Sequence, residues 1–188
     1  MFRFAQGDIC VAVDYRRGRL DRYSTVREIK NSGFGQILGG GRSLGEHQLH
    51  ARLLACNAFK DARINELSQI NYSLSHTKDA AAVCWTSSKD LVRVGVDIEP
   101  VTRCLPAASA KFFLNESDCL DELNLLERWC VKEAAFKCLD DYDRVLNLPN
   151  IRVVPLNNKV YHAQAKSIEC ECTLLPNSLG YLIATAWR

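Results

Sequence analysis

The sequence WCVKEAAFK, from Trp129 to Lys137, is the most informative stretch of the chain. Its alanines and spaced apolar residues favour a helix, and we predict one over residues 125–139. Glu133 and Lys137 stand four residues apart, so a helix places a carboxylate and an ammonium group on one face. Such pairs are common on solvated helices, and alone this one predicts only a surface salt bridge.

A second acidic pair lies upstream, in the segment VGVDIE from Val94 to Glu99. Apolar and polar residues alternate over residues 91–99, which predicts a strand that Pro100 ends. Because neighbouring side chains of a strand point to opposite faces, Asp97 and Glu99 project side by side from one face.

Together the two segments suggest a metal-dependent phosphate site. Asp97 and Glu99, joined by Glu133 from the helix, would offer the oxygen ligands that Mg²⁺ prefers. Lys137 could then lie against a phosphate that the metal also holds. The alternative is that Asp97 and Glu99 are ordinary polar residues at the end of a strand.

Ser75 and His76 form a further candidate pair. They end a predicted strand over residues 71–76, which a short turn joins to a second strand over residues 80–85. A histidine in this position could contact a phosphate or accept a proton. It could equally be a hydrogen-bonded turn residue.

Composition indicates an ordinary globular protein and excludes several classes of function. Of the 188 residues, 47% are hydrophobic and 24% charged, and the net charge of +2 is far from that of a nucleic-acid-binding patch. There is no run of eighteen apolar residues and no apolar signal core at the N-terminus. The nine irregularly spaced cysteines favour buried, reduced thiols. We therefore expect a cytoplasmic protein without nucleic acid or membrane as partner.

The remaining segments predict an α+β fold. A strand over residues 9–13 is followed by a basic turn and by a glycine-rich stretch, residues 33–41, which we expect to be a flexible connection. A helix follows over residues 43–59, and strands are predicted near residues 151–154, 159–161, 168–174 and 181–186. The order of elements suggests two similar halves that meet near residue 90.

These motifs closely resemble the signatures of 4′-phosphopantetheinyl transferases, which read roughly (I/V)-G-(I/V)-D-(I/V)-E and (W/F)-(S/C/T)-x-K-E-(A/S)-x-x-K. NYSLSH at residues 71–76 resembles the motif that precedes them in the family. The segment KFF at residues 111–113 with Glu116, and Arg42–Gly45 with Arg52, are also similar to family segments. The resemblance spans about residues 40–188.

The length and the two halves resemble the Sfp type of the family, in which two similar α/β lobes form a single-chain pseudo-dimer with the active site between them. The resemblance then implies an N-terminal lobe, residues 1–90, on the coenzyme A-binding side. A C-terminal lobe, residues 91–188, would carry the metal and catalytic residues.

The activity implied by the resemblance is Mg²⁺-dependent transfer of 4′-phosphopantetheine from coenzyme A to a serine of an apo acyl or peptidyl carrier protein, releasing 3′,5′-ADP. The protein would act as a monomer. Asp97, Glu99 and Glu133 would hold Mg²⁺, and Glu133 or a metal-bound water would be the base. Lys137 would stabilise charge on the phosphates.

Coenzyme A itself would be contacted by Ser75, His76 and Lys137, and its 3′-phosphate region by Arg42. The chain departs from the Sfp type before the Ser-His motif, because residues 62–70 read ARINELSQI and lack the usual Gly-Lys-Pro segment. This departure leaves a second hypothesis open: a degenerate carrier-binding or coenzyme A-binding module without catalysis. An unrelated metal-dependent phosphohydrolase is a third. The carrier and its pathway do not follow from the sequence.

Overall fold

The computed structural model describes residues 2–15, 20–39, 43–140, 146–157, 159–178 and 180–188. The chain divides into two compact units, residues 1–90 and 91–188. Each unit contains an antiparallel sheet with helix packed on it, which confirms the predicted α+β class. Their predicted pairing as a pseudo-dimer with a shared active site stays a prediction. Within the described ranges, no helix has the length and apolar character needed to span a membrane.

The first unit contains a four-stranded antiparallel sheet in the order β1-β2-β4-β3. Its elements are β1 (Phe2–Gln6), β2 (Ile9–Tyr15), α1 (Arg22–Asn31), α2 (Glu46–Asp61), β3 (Asn71–His76) and β4 (Ala80–Thr86). The helix predicted over residues 43–59 is α2, which packs against β3 and β4. Phe59 is central to this contact, because its ring meets those of Tyr72 and Trp85 edge-on at 5.6 and 5.8 Å.

Two elements of this unit, β1 and α1, were not predicted. A turn at Gly7, whose φ is +56°, joins β1 to β2, and this left-handed backbone conformation favours glycine. Helix α1 begins after Asp21, whose carboxylate accepts hydrogen bonds from the backbone amides of Tyr23 and Ser24. The glycine-rich stretch, which we predicted to be a flexible connection, contains a short 3-10 helix, Gly35–Leu38. Residues 16–19 and 40–42 lie outside the described residues.

The second unit contains a five-stranded antiparallel sheet in the order β5-β9-β8-β7-β6. Its elements are β5 (Val94–Pro100), α3 (Leu125–Leu139), β6 (Arg152–Asn157), β7 (Val160–Ala165), β8 (Ile168–Ser178) and β9 (Tyr181–Trp187). Asn124 and Glu127 form a capping box at the start of α3, which fixes where the helix begins. The helix lies across β5, β9 and β8, and the predicted bounds of α3 are confirmed.

The cysteines are free thiols, as predicted, but they are not all buried. Six lie in the interior: Cys56, Cys84, Cys130, Cys138, Cys170 and Cys172. Cys104 and Cys119 are exposed, so the prediction of buried thiols was wrong for these two.

Candidate functional site

A glycine sets the distance between β5 and α3. A Cβ atom at Gly95 would lie 2.1 Å from the carbonyl oxygen of Ala134 and 3.0 Å from the amide nitrogen of Cys138. Since side chains do not approach a backbone so closely, only glycine lets the helix lie directly on the strand. The polar face predicted for this strand is therefore covered by α3, and Asp97 and Glu99 are only 5% and 8% exposed.

Asp97 forms an ion pair with Lys137 of α3. The Lys137 ammonium donates to Asp97 Oδ1 at 2.8 Å and to the carbonyl oxygen of Val96 at 2.9 Å. We predicted that Lys137 contacts a substrate phosphate and that Asp97 is a metal ligand. The structure brings the two residues together, but as partners of one another.

Glu99 is held by a different pair of donors. The indole N–H of Trp129 donates to Glu99 Oε1 at 3.0 Å, and a guanidinium N–H of Arg103 donates to the same oxygen. The Arg103 guanidinium also lies over the Trp129 ring, 5.3 Å from its centroid. Phe113 meets the same ring edge-on at 5.2 Å. Neither the contact of Arg103 nor the hydrogen bond of Trp129 was predicted from the sequence.

Glu133 is half-buried on α3, and its pKa is affected by the carboxylates of Asp97 and Glu99. Burial raises the pKa of Glu133 above its usual range, and the negative charge of Asp97 raises it further, with a smaller contribution from Glu99. Lys137 and Arg103 oppose these effects. The structure thus brings Asp97, Glu99, Glu133 and Lys137 into one electrostatic neighbourhood.

This donor set fits a hard divalent cation in its chemistry. Three carboxylates in one neighbourhood carry an excess of negative charge, and they offer the oxygen ligands that Mg²⁺ prefers. However, no three His, Cys, Asp or Glu side chains among the described residues are arranged as a preformed metal site. Lys137 and Arg103 instead neutralise Asp97 and Glu99. The metal ligand roles therefore stay predictions.

Lys132 has a structural position that was not predicted from the sequence. Its side chain is fully buried, and its ammonium donates to Asp118 Oδ2 at 2.7 Å and to the carbonyl oxygen of Ile151. The Asp118 carboxylate also accepts from the backbone amides of Asn115, at 2.8 Å, and Val153, at 2.6 Å. Burial lowers the pKa of Lys132, which Asp118 partly offsets. This lysine of the WCVKEAAFK segment ties α3 to the start of β6.

The other predicted site residues belong to the first unit. Ser75 is buried and His76 is exposed, at the end of β3. The His76 ring lies 6.2 Å from the ring of His47, near the start of α2. Arg42 lies outside the described residues. The predicted contacts of Ser75, His76 and Arg42 with coenzyme A stay predictions.

The second unit thus presents a strand and a helix that carry three neighbouring carboxylates, two of them paired with Lys137 and Arg103. A family model, described as the 4′-phosphopantetheinyl transferase superfamily, matches residues 93–186. This match covers half of the chain and includes all four residues, and the chain belongs to this superfamily. Membership supports phosphopantetheinyl transfer, and hence transferase activity, in general. A search of curated proteins returned no match.

Proposed function

We propose that this protein catalyses Mg²⁺-dependent transfer of 4′-phosphopantetheine from coenzyme A to a serine of an apo acyl or peptidyl carrier protein, releasing 3′,5′-ADP. The observation that carries the proposal is the convergence of Asp97, Glu99, Glu133 and Lys137 within the unit that matches the superfamily. The finer assignment to the Sfp type, acting as a cytoplasmic monomer, is part of the proposal.

Asp97, Glu99 and Glu133 would be the protein's ligands to Mg²⁺. When bound, the metal would supply positive charge to the pyrophosphate oxygens of coenzyme A. Lys137 would then exchange its carboxylate partner for a phosphate oxygen, which keeps its own charge compensated. A lysine ammonium directed at the charge that develops in the transition state would contribute strongly to phosphoryl transfer.

The carrier serine would attack the β-phosphorus of coenzyme A, forming a new P–O bond. The bond from that phosphorus to the bridging oxygen breaks, and the electron pair leaves with 3′,5′-ADP. The serine proton needs an acceptor, for which Glu133 is the candidate. In the metal-free protein, burial and Asp97 raise the pKa of Glu133, so its carboxylate then has a higher proton affinity than an exposed glutamate has.

Substrate binding is assigned to the first unit. Ser75 and His76 would contact coenzyme A, and Arg42 its 3′-phosphate region. Residues 1–90 contain 13 Lys and Arg against 9 Asp and Glu. Carrier proteins present an acidic helix beside their serine, so this basic excess would steer their docking.

The deciding experiment is incubation with an apo carrier protein, coenzyme A and MgCl₂, followed by intact-mass spectrometry of the carrier. We expect a mass increase of one phosphopantetheine group, abolished by EDTA and by replacing the acceptor serine with alanine. If the folded protein modifies none of several acyl and peptidyl carriers, the transferase proposal is refuted.

A non-catalytic module that binds a carrier or coenzyme A is the second candidate. It is favoured by the ion pairs of Lys137 and Arg103, which neutralise two of the carboxylates without metal. Isothermal titration calorimetry separates the two functions. Binding of coenzyme A or carrier without any mass shift would support the module.

A further inference from the structure

Among the described residues, two side chains donate hydrogen bonds to the Glu99 carboxylate, and both donate to the same oxygen. Trp129 Nε1 and Arg103 Nη1 donate to Oε1. The carboxylate is almost buried, with a side chain only 11% exposed, so it cannot exchange these donors freely for water. One oxygen is thus fixed by the protein, and the orientation of the second oxygen, Oε2, is set by the first.

The indole that makes this bond is itself fixed. Phe113, which is fully buried, contacts the Trp129 ring edge-on with an interplanar angle of 88°. The Arg103 guanidinium lies over the same ring. Contacts from both residues restrict rotation of the ring, so the direction of its N–H group is determined by packing rather than by Glu99 alone.

We propose that Trp129 is a positioning residue for the metal site, which orients Glu99 so that Oε2 is the oxygen available to Mg²⁺. The proposal rests on the proposed function, because it assumes that Glu99 is a ligand. Hydrogen bonds to the ligands of a metal fix their orientation, and their loss typically lowers metal affinity by 10- to 100-fold. Trp129 is suited to this role because its N–H is neutral and does not compete with the cation for charge.

Arg103 differs from Trp129 in this respect. It donates to the same oxygen, but it brings a positive charge, and its side chain is 38% exposed. Its removal would loosen Glu99 and at the same time remove a cation that opposes Mg²⁺, so the two effects partly cancel. A substitution of Trp129 therefore tests the orientation of Glu99 more directly than a substitution of Arg103 does.

The test is a calorimetric titration of MgCl₂ into three proteins: wild type, Trp129→Phe and Trp187→Phe. Phenylalanine at 129 keeps an aromatic ring against Phe113 but lacks the N–H donor. We expect about tenfold weaker Mg²⁺ binding for Trp129→Phe. Trp187→Phe, the matched control on β9, should bind as wild type does. Mg²⁺ binding by Trp129→Phe that equals wild type would overturn the proposal.

A kinetic measurement separates orientation from general loss of structure. In Trp129→Phe the Mg²⁺ concentration for half-maximal transfer should rise about tenfold. The KM for coenzyme A should stay near that of wild type. A fall in kcat that saturating Mg²⁺ does not relieve would contradict the positioning role.

If Trp129→Phe fails to fold, a measurement on the wild-type protein still tests the positioning role of Trp129. In a ¹H–¹⁵N spectrum, the assigned indole N–H signal of Trp129 should shift on titration with MgCl₂, whereas that of Trp187 should not. An unmoved Trp129 signal, with Mg²⁺ bound by calorimetry, would overturn the proposal while leaving the transferase function intact. Absence of Mg²⁺ binding by wild type would overturn the metal site and this inference with it, whereas the mass-shift experiment decides the transferase function separately.

Discussion

Lys137 donates a 2.8 Å hydrogen bond to Asp97, and this ion pair joins the last turn of α3 to the middle of β5. It places a cation against a carboxylate that we propose as a ligand of Mg²⁺. Both side chains are largely shielded from water, with Lys137 25% exposed. Removing the charge of either residue should therefore change the stability of the protein measurably.

Lys137→Met should destabilise the metal-free protein by about 1–3 kcal/mol, because it removes the ammonium that donates to the buried Asp97 carboxylate. MgCl₂ should recover part of this loss, since a bound cation restores the missing charge. Urea unfolding with and without MgCl₂ measures both effects. Lys89→Met, at an exposed loop position, is the control. Equal stability of Lys137→Met and wild type would mean that the ion pair contributes nothing.

Glu133→Gln should lower the rate of carrier modification by about 10²–10⁴-fold, the usual contribution of a positioned proton acceptor. Glutamine preserves the size of the side chain but cannot take up the serine proton. The rate is measured by intact-mass spectrometry at saturating coenzyme A. Asp121→Asn removes one fully exposed carboxylate and should leave the rate unchanged. Wild-type activity in Glu133→Gln would refute its role.

The stability of the metal-free protein should depend on the protonation of Glu133. The folded state raises the pKa of this residue above its ordinary value of 4.5, so folding favours the protonated form. Its contribution is fully present below pH 4.5 and is lost as the pH rises through the raised pKa.

Urea unfolding in EDTA over this pH range, with Glu133→Gln as reference, isolates this contribution. The stability of wild type relative to the variant should decrease as the pH rises. The opposite slope would show that Glu133 is stabilised as a carboxylate. Added MgCl₂ should flatten the slope, because a bound cation favours the ionised form.

Gly95→Ala should destabilise the protein by about 1–3 kcal/mol, the usual cost of forcing an extra methyl group into a packed interface. The added Cβ would meet backbone atoms of α3, which cannot rotate away. Gly35→Ala is the matched control, because its Cβ would meet its nearest atom at an ordinary 3.8 Å. Chemical unfolding of both variants measures the difference. A stability of Gly95→Ala equal to that of Gly35→Ala would show that α3 can move off the strand.

The site elements could be predicted from sequence because their signals are local. The alternation around Asp97 defines β5, and the apolar and alanine-rich pattern around Glu133 defines α3 with the bounds that the structure gives. The burial of the polar face was not predicted. It depends on Gly95, whose missing side chain matters only once the helix and the strand are in contact.

The partners of the carboxylates could not be predicted, because they come from chain reversals rather than from periodicity. Arg103 reaches Glu99 only because the chain turns after Pro100. Lys132 is a typical solvated residue by composition, yet Asp118 lies fourteen positions upstream and pairs with it in the interior. Helix α1 was not predicted because its apolar pattern is weak: its aliphatic residues are Val26 and Ile29, and Tyr23 is exposed.

The internal pairing of Lys137 with Asp97 has a consequence for how the protein responds to metal supply. A polypeptide that provides its own counterion does not depend on an external cation to complete its interior. We therefore expect magnesium depletion to stop turnover while leaving the amount of folded protein unchanged. Restored magnesium would then reactivate the existing pool at once, without new synthesis or refolding.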